Sequence, residues 1–305
     1  MMLLSLRFVQ GRICATKRVL MILGCLMVVV LPIAGCDLNG TVFGSQGVSS
    51  SSADDDSVSG QRLPVGDLPG WRQVFASDFT QGDVPVGGFP GAVYGAEWSA
   101  GYGDGTPDTA GQLSGGKSGY YPSKVLSVKN GVLDWYLHSE SGISMGAAPT
   151  PVIANSSQNP HRPNSQLYGR YSVRFKADSL PGFKTAWLMW PDSGLWPMDG
   201  ELDFPEGDLA GLIFGAFHRS GSSQDVYDVV PSIALFTSWH TATTEWTPGR
   251  VAFFLDGKEL GTTTVGTPIK PMHYILQTES CLPGCPAPTT AGHVQVAWVA
   301  VWSRI

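Results

Sequence analysis

The stretch Trp196-Pro-Met-Asp-Gly-Glu201-Leu-Asp203-Phe-Pro-Glu206 sets three carboxylates among residues, Leu202 and Phe204, that belong in a core. Acidic side chains are costly inside a strand, so packing alone does not explain them. In an extended chain, side chains two apart share a face, which pairs Glu201 with Asp203 and sets both against Leu202 and Phe204. Glu206, five residues from Glu201, falls on the other face unless the strand carries an inserted residue. A β-bulge supplies that residue, and Pro205, which cannot donate to a ladder, suits such a place. The stretch therefore reads as a bulged strand of a half-buried sheet, with an acidic face and an apolar face.

With the bulge, the two glutamates stand effectively four steps apart, about 13 Å between Cα atoms at roughly 3.3 Å per step. Side chains leaning toward each other bring the carboxyl groups to roughly 5 Å, the separation of retaining glycoside hydrolysis rather than the wider gap of inversion. Pyranose rings present apolar faces and hydroxyl edges, so a sugar cleft wants aromatic platforms near the acids. Trp187, Trp190 and Trp196 lie close in sequence. Alternation puts Trp187 toward the core and Trp190 on the opposite face, which makes Trp190 and Trp196 the candidate cleft residues. Gln277 and Glu279 stand on a further predicted strand that can face the cleft, ranked below the aromatics.

The rest of the chain agrees with a β fold. Period-two segments run over Lys124–Lys129, Gly131–His138, Tyr168–Ala177, Lys184–Trp190, Arg250–Leu255 and Val294–Trp302. Turn pairs such as Asn130-Gly131, Pro181-Gly182 and Pro248-Gly249 bound them, and Asp256-Gly257 is a two-residue hairpin signal. No helical pattern persists beyond about two turns. An all-β, two-sheet antiparallel jelly-roll sandwich with a concave substrate cleft is expected.

Among the 305 residues, 43% are hydrophobic, enough for a core, while 38 Gly and 22 Pro suit many turns. With 19 Lys and Arg against 25 Asp and Glu, the formal charge is −6, so no basic field exists to hold nucleic acid. The charge is unevenly spread. Arg7, Arg12, Lys17 and Arg18 precede a run from Val19 to Ala34 with no acid before Asp37, the layout of an export signal. That run is shorter than the ~18 residues of a spanning helix, which is the weaker reading.

The run ends in Leu31-Pro-Ile-Ala-Gly-Cys36, which resembles the lipobox of bacterial lipoproteins, so residues 1–35 read as a signal peptide and Cys36 as the lipidated residue. An ordinary secretory signal is the alternative. Lipidation would hold the protein outside the cytoplasm at a membrane surface without a span. Loss of residues 1–35 removes four of 19 bases and no acid, leaving 15 minus 25, or −10. Residues 36–67, rich in Ser, Gly and Asp, read as a tether, and 68–305 as one domain, expected to act as a monomer. Cys281 and Cys285 remain as a pair suited to a disulfide, since one short Cys pair makes a poor zinc site.

Glu201-Leu-Asp203-Phe-Pro-Glu206 resembles the E-x-D-x-x-E signature of glycoside hydrolase family 16, the bulged type of laminarinase-like enzymes. Phe75-Ala-Ser-Asp78-Phe79, Tyr168-Gly-Arg-Tyr-Ser-Val-Arg-Phe-Lys176, Phe183-Lys-Thr-Ala-Trp187-Leu-Met-Trp190, Trp239-His240 through Glu245-Trp246 and Phe253-Phe-Leu-Asp256-Gly257 follow in the family's order. The resemblance implies Glu201 as nucleophile, Glu206 as general acid and then base, and Asp203 as the carboxylate between them. Clustered charge and burial would hold Glu206 protonated and leave Glu201 ionised. His218 falls where the family often has a histidine and is expected to touch sugar or a catalytic carboxylate, whereas His240 reads as structural.

Two departures stand out. Ala297 occupies the place of an aspartate that helps many members hold a structural calcium, which weighs against that ion; no cofactor is expected. Phe204 and Pro205 replace the common Ile and Met, with consequences for packing behind the strand. The implied activity is endo-hydrolysis of β-1,3 or mixed β-1,3/1,4 glucan. A transglycosylase, a hydrolase of another polymer such as a galactan, and a non-catalytic lectin are the alternatives.

Overall fold

Two-residue turns set the pairing of neighbouring strands. Asp256 and Gly257 have φ of 51° and 79°, the left-handed geometry that lets a tight hairpin follow the twist of its strands, and they join Arg250–Leu255 to Lys258–Thr263. Asn130 and Gly131, at 53° and 71°, do the same between Leu126–Lys129 and Val132–Glu140. The computed structural model describes residues 57–153 and 165–305. Among these, the strands gather into two large, mainly antiparallel sheets, one of eleven strands and one of six. The sandwich expected from the sequence is the fold observed.

The six-stranded sheet positions the site. Its order is Tyr227–Leu235, Leu212–His218, Glu201–Asp208, Phe183–Pro191, Met272–Ser280 and Ser165–Gln166. The larger sheet packs behind it, with Gly169–Ala177 and Gly292–Arg304 paired at its centre. Alternation sorts the side chains between core and cleft. Phe183, Trp187 and Met189 enter the main core, where Trp187 meets the edge of Phe175 at 5.3 Å and stacks on Trp135 at 6.0 Å. Ala186, Leu188 and Trp190 take the opposite face with Ile275, Ala148 and Tyr120.

Behind the acidic strand, Phe204 stacks on Phe253 at 4.9 Å, and Phe253 on Phe217 at 4.2 Å. Such pairs contribute about 0.5–1.5 kcal/mol beyond the burial of their area. The stack closes over Gly215, where a Cβ would stand 2.5 Å from the Phe253 ring. Phe204 thus packs against a partner large enough to fill the space that an aliphatic residue would leave.

Strand limits follow the sequence reading closely: Arg250–Leu255 is unchanged, whereas Lys124 belongs to a helical turn over Pro122–Val125. Trp246 is fully buried and Arg170 pairs with Glu245 across neighbouring strands, which gives that glutamate a structural place. His240 meets Asp256 at 2.7 Å, also a structural contact. Cys281 and Cys285 are bonded to each other.

The tether expected over residues 36–67 ends sooner. Ser59 and Gln61 accept through their backbone carbonyls from Arg174 at 2.7 Å and from the Trp298 indole at 2.9 Å, and Gly66 accepts from Trp302 at 2.9 Å. Leu63 packs with Trp71 and Trp239 beside those indoles. Polar composition hid this because the segment contributes carbonyls that satisfy buried donors rather than apolar side chains. The signal segment 1–35, Cys36 and the tether up to residue 56 lie outside the described residues.

Candidate active site

The register of the acidic strand shows the bulge. Asp203 lies opposite Leu188 on one neighbour and Ala216 on the other, while Glu206 lies opposite Ala186 and Phe214. Three residues on the acidic strand thus span two on each neighbour, which returns Glu206 to the face of Asp203. Glu201 pairs with His218 and Glu206 with Phe214, so the glutamates stand 218 minus 214, or four, ladder steps apart. The spacing is the one expected, about 13 Å between Cα atoms at roughly 3.3 Å per step. Leu202 and Phe204 turn into the core.

The acids are differently housed. Asp203 is 3% exposed, and its Oδ2 is buried without a hydrogen-bond partner. Burial first, and the nearby Glu201 and Glu206 charges next, raise its pKa well above the ordinary carboxylate value. Burial also pushes Glu201 up to about 7, against the lowering effects of His218, of a hydrogen bond from Asp203 and of the Trp196 indole. A proton on Asp203, donated to Glu201, answers both observations: it neutralises the more buried acid and leaves Glu201 as the ionised partner. Sequence reasoning left Glu201 ionised; the structure raises the pKa of both Glu201 and Asp203.

Glu206 has a neighbour that sequence reasoning missed. Lys184 donates to Glu206 Oε1 at 3.2 Å and stands 3.8 Å from Glu279 Oε1. Burial lowers the lysine's proton affinity, but the carboxylates of Glu206 and Glu279 outweigh it and the net shift is upward. Alternation from Ala186, Leu188 and Trp190 puts Lys184 on the cleft face, so a signal was present in the sequence. Glu279 is almost fully buried and is a structural anchor rather than an exposed cleft residue.

His218 bonds through one ring nitrogen and faces a carboxylate with the other. Nδ1 lies 2.7 Å from Asp225, and Nε2 lies 3.4 Å from Asp203 Oδ2. The histidine placed among the sugar-binding candidates therefore sits against a carboxylate of the site. Asp225 falls in a polar loop with no periodic signal, and sequence reasoning had no hold on it.

Trp190, Trp196 and Gln277 do come together. They line a cavity of about 470 Å3 with Glu201, Leu188, Ile275, Tyr102 and Tyr120. Trp190 and Trp196 stack at 6.2 Å with their planes 15° apart, and Trp196 is 41% exposed. Aromatic faces, an amide and a carboxylate in one cavity match the chemistry of a sugar ring.

The oxygen atoms of Glu201 and Asp203 and a nitrogen of His218 lie within 4.8 Å of one another, a set able to hold a cation. The structural calcium of the family finds a poorer place. Ala297 brings no side-chain oxygen to its groove, and there Asp78 accepts from Thr80 while Asp83 accepts from the Asn130 backbone.

Residues 138–300, just over half of the chain, match the profile of the glycosyl hydrolases family 16. The chain belongs to that family. It is a glycoside hydrolase. Among curated protein sequences no significant match is found. The fold is similar to SCLam, a non-specific endo-β-1,3(4)-glucanase of family 16, at 19% identity and TM-score 0.59, covering 79% of this chain and 94% of that one. It is also similar to the laminarinase catalytic domain from Thermotoga maritima, at 19% identity and TM-score 0.56, over 77% of this chain and 99% of that one. The endo-β-1,3-glucanase from Pyrococcus furiosus matches at 17% identity and TM-score 0.57, over 80% and 99%.

Proposed function

We propose that this family 16 hydrolase cleaves β-linked glucan, β-1,3 or mixed β-1,3/1,4, with retention of anomeric configuration. The observation that carries the mechanism is the bulge that returns Glu206 to the face of Glu201 at four ladder steps. The glucanases of similar fold support the choice of substrate. Ionised Glu201 attacks the anomeric carbon and the glycosidic C–O bond breaks, its oxygen taking the proton of the Glu206 carboxyl group. Glu206, now a carboxylate, removes a proton from water; the water oxygen bonds to the anomeric carbon, and Glu201 leaves as carboxylate. Asp203 keeps its proton and steadies the Glu201 carboxylate by a hydrogen bond before it attacks and as it leaves, and Lys184 holds Glu206 in place.

Trp190 and Trp196 serve as platforms for sugar rings, and Gln277 as a hydrogen-bonding group toward hydroxyls. We place the protein outside the cytoplasm, held at a membrane by lipid on Cys36, on the strength of the basic, apolar and small-residue sequence before that cysteine. Hydrolysis of β-glucan by the wild-type chain and its loss in Glu201→Gln and Glu206→Gln, with the β-anomer appearing first by proton NMR, is the expected result. Full activity in either variant, or the α-anomer first, rejects the proposal.

A further inference from the structure

The cavity beside Glu201 accounts for one side of the acids only. A nucleophile and an acid flank the bond they break, and Glu201 and Glu206 are separated along one strand, so a sugar chain between them crosses the strands. On one side it passes Leu188, Trp190, Ile275 and Gln277 in the cavity. On the other it passes over Leu212–His218 and then Tyr227–Leu235, the edge strand of the six-stranded sheet. The ladder fixes which residues it meets there. Glu201 pairs with His218 and His218 with Tyr227, while Asp203 pairs with Ala216 and Ala216 with Val229. At about 4.8 Å per strand, Tyr227 and Val229 stand roughly 10 Å from the acidic strand.

Alternation along the edge strand sorts its side chains. Val230 turns toward Gly261 of the larger sheet, where a Cβ would stand 2.7 Å from Val230 Cγ1. Tyr227, Val229 and Pro231 therefore take the concave face, and Tyr227 is 55% exposed. The tyrosine ring stacks on His218 at 5.2 Å and 26°. His218 in turn lies 6.1 Å from Trp196, which bonds to Glu201 and stacks on Trp190 at 6.2 Å. Four rings thus form one row from the cavity, past Glu201, to the edge of the sheet, with Tyr227 at its far end. The end of the row is held firmly: Asp225 bonds to His218 at 2.7 Å, and Arg219 donates twice to Asp228 at 2.8 Å.

We infer that Tyr227 is the sugar-stacking platform on the side of the acids away from Trp190, where it and Val229 hold a β-linked hexopyranose chain by its apolar ring faces. The inference rests on the retaining glucanase reading, since it takes Glu201 and Glu206 as the reacting pair. Cleavage within a chain requires a track on both sides of that pair, and the row of rings supplies the second side. Past Tyr227 the exposed residues Val229, Pro231, Ile233 and Leu235 carry no hydrogen-bonding side chain, so this side reads ring faces and leaves hydroxyls unread, unlike the side that carries Gln277. Pro231 removes a backbone donor from the edge strand, which disfavours pairing with a second chain and leaves the substrate, continuous with the acids, as the occupant.

Steady-state kinetics of the full chain on a soluble mixed β-1,3/1,4-glucan and on β-1,3-glucan test this, with Tyr227→Ala and Tyr227→Phe beside the wild type. Tyr227→Ala is expected to raise KM about tenfold while kcat changes by less than about twofold, the mark of binding shared by ground and transition states. Tyr227→Phe, which keeps the ring, recovers most of that loss. The urea midpoint of Tyr227→Ala matches the wild type, because the ring is exposed. In a reducing-end-labelled β-1,3-glucan hexasaccharide the position of cleavage moves in Tyr227→Ala, and the direction tells which end of the chain the ring holds. A KM within about twofold of wild type with an unmoved cleavage position overturns the inference. So does equal loss in both variants, which assigns the hydroxyl rather than the ring, and so does an effect confined to self-association or to binding of lipid vesicles. Those results leave the retaining glucanase reading standing, provided the wild type is active and Glu201→Gln is not. A wild-type chain that hydrolyses neither glucan removes that reading, and this inference with it.

Discussion

Replacing Glu201 with glutamine is expected to stabilise the folded chain above neutral pH while it abolishes hydrolysis. Burial raises this carboxyl from the ordinary 4.5 to about 7. Below pH 4.5 both the folded and the unfolded chain hold the proton, and burial carries no ionic cost. Between 4.5 and 7 the unfolded chain releases it while the folded chain keeps it, so stability falls as pH rises; above 7 the full penalty applies. The difference of 2.5 pH units, at about 1.36 kcal/mol each, amounts to about 3 kcal/mol. Glutamine keeps the shape without the charge, so Glu201→Gln should gain up to about 3 kcal/mol at pH 8 and almost nothing at pH 4. At about 2–4 °C per kcal/mol, that raises Tm by roughly 6–12 °C at the higher pH. Denaturant midpoints at pH 4, 6 and 8 measure it. A variant no more stable than wild type at pH 8, or equally stabilised at pH 4, refutes the claim that Glu201 is held at the expense of the fold.

The same titration governs rate. kcat/KM should fall as pH drops below about 7, because Glu201 must be ionised to attack; an acid limb near 4 to 5 contradicts this. Trp196→Phe removes an indole N–H that favours the ionised form, so its acid limb should move to higher pH in the same profile. Lys184→Met is expected to lower kcat about tenfold or more with little change in KM, since Lys184 holds Glu206 rather than sugar; unchanged steady-state kinetics would remove it from the mechanism. Gly215→Ala drives a methyl toward Phe253 and should cost about 1–3 kcal/mol in a urea melt, with m unchanged.

What could be read from sequence was what repeats with period two or breaks that period in a telling way. Glu201, Asp203 and Glu206 could be placed on one face because the out-of-step glutamate and Pro205 together call for a bulge, and the register contains it. Trp187 and Trp190 separated correctly because an odd interval on a strand means opposite faces. Contacts that depend on how distant loops fold back were beyond reach. Asp225 meets His218 from a loop, and the Tyr102 and Tyr120 of the cavity come from a stretch with no alternation. The tether's end was misread because residues 57–67 bind through carbonyls, which composition does not register. The raised pKa of Asp203 was out of reach for a related reason: it depends on how deeply that side chain is buried and on the Glu201 and Glu206 charges beside it.

Identifying the residue that bonds to sugar is the most direct check on the trio of acids. Incubation with an activated 2-deoxy-2-fluoro β-glucoside slows the second half of the reaction and lets the glycosyl-enzyme accumulate; peptide mass spectrometry then locates the label. A single adduct on the peptide bearing Glu201, assigned to that carboxylate by fragmentation and absent from Glu201→Gln, is the predicted result. Label on Glu206 or on any residue off the acidic strand, during turnover that this compound inhibits, contradicts the assignment.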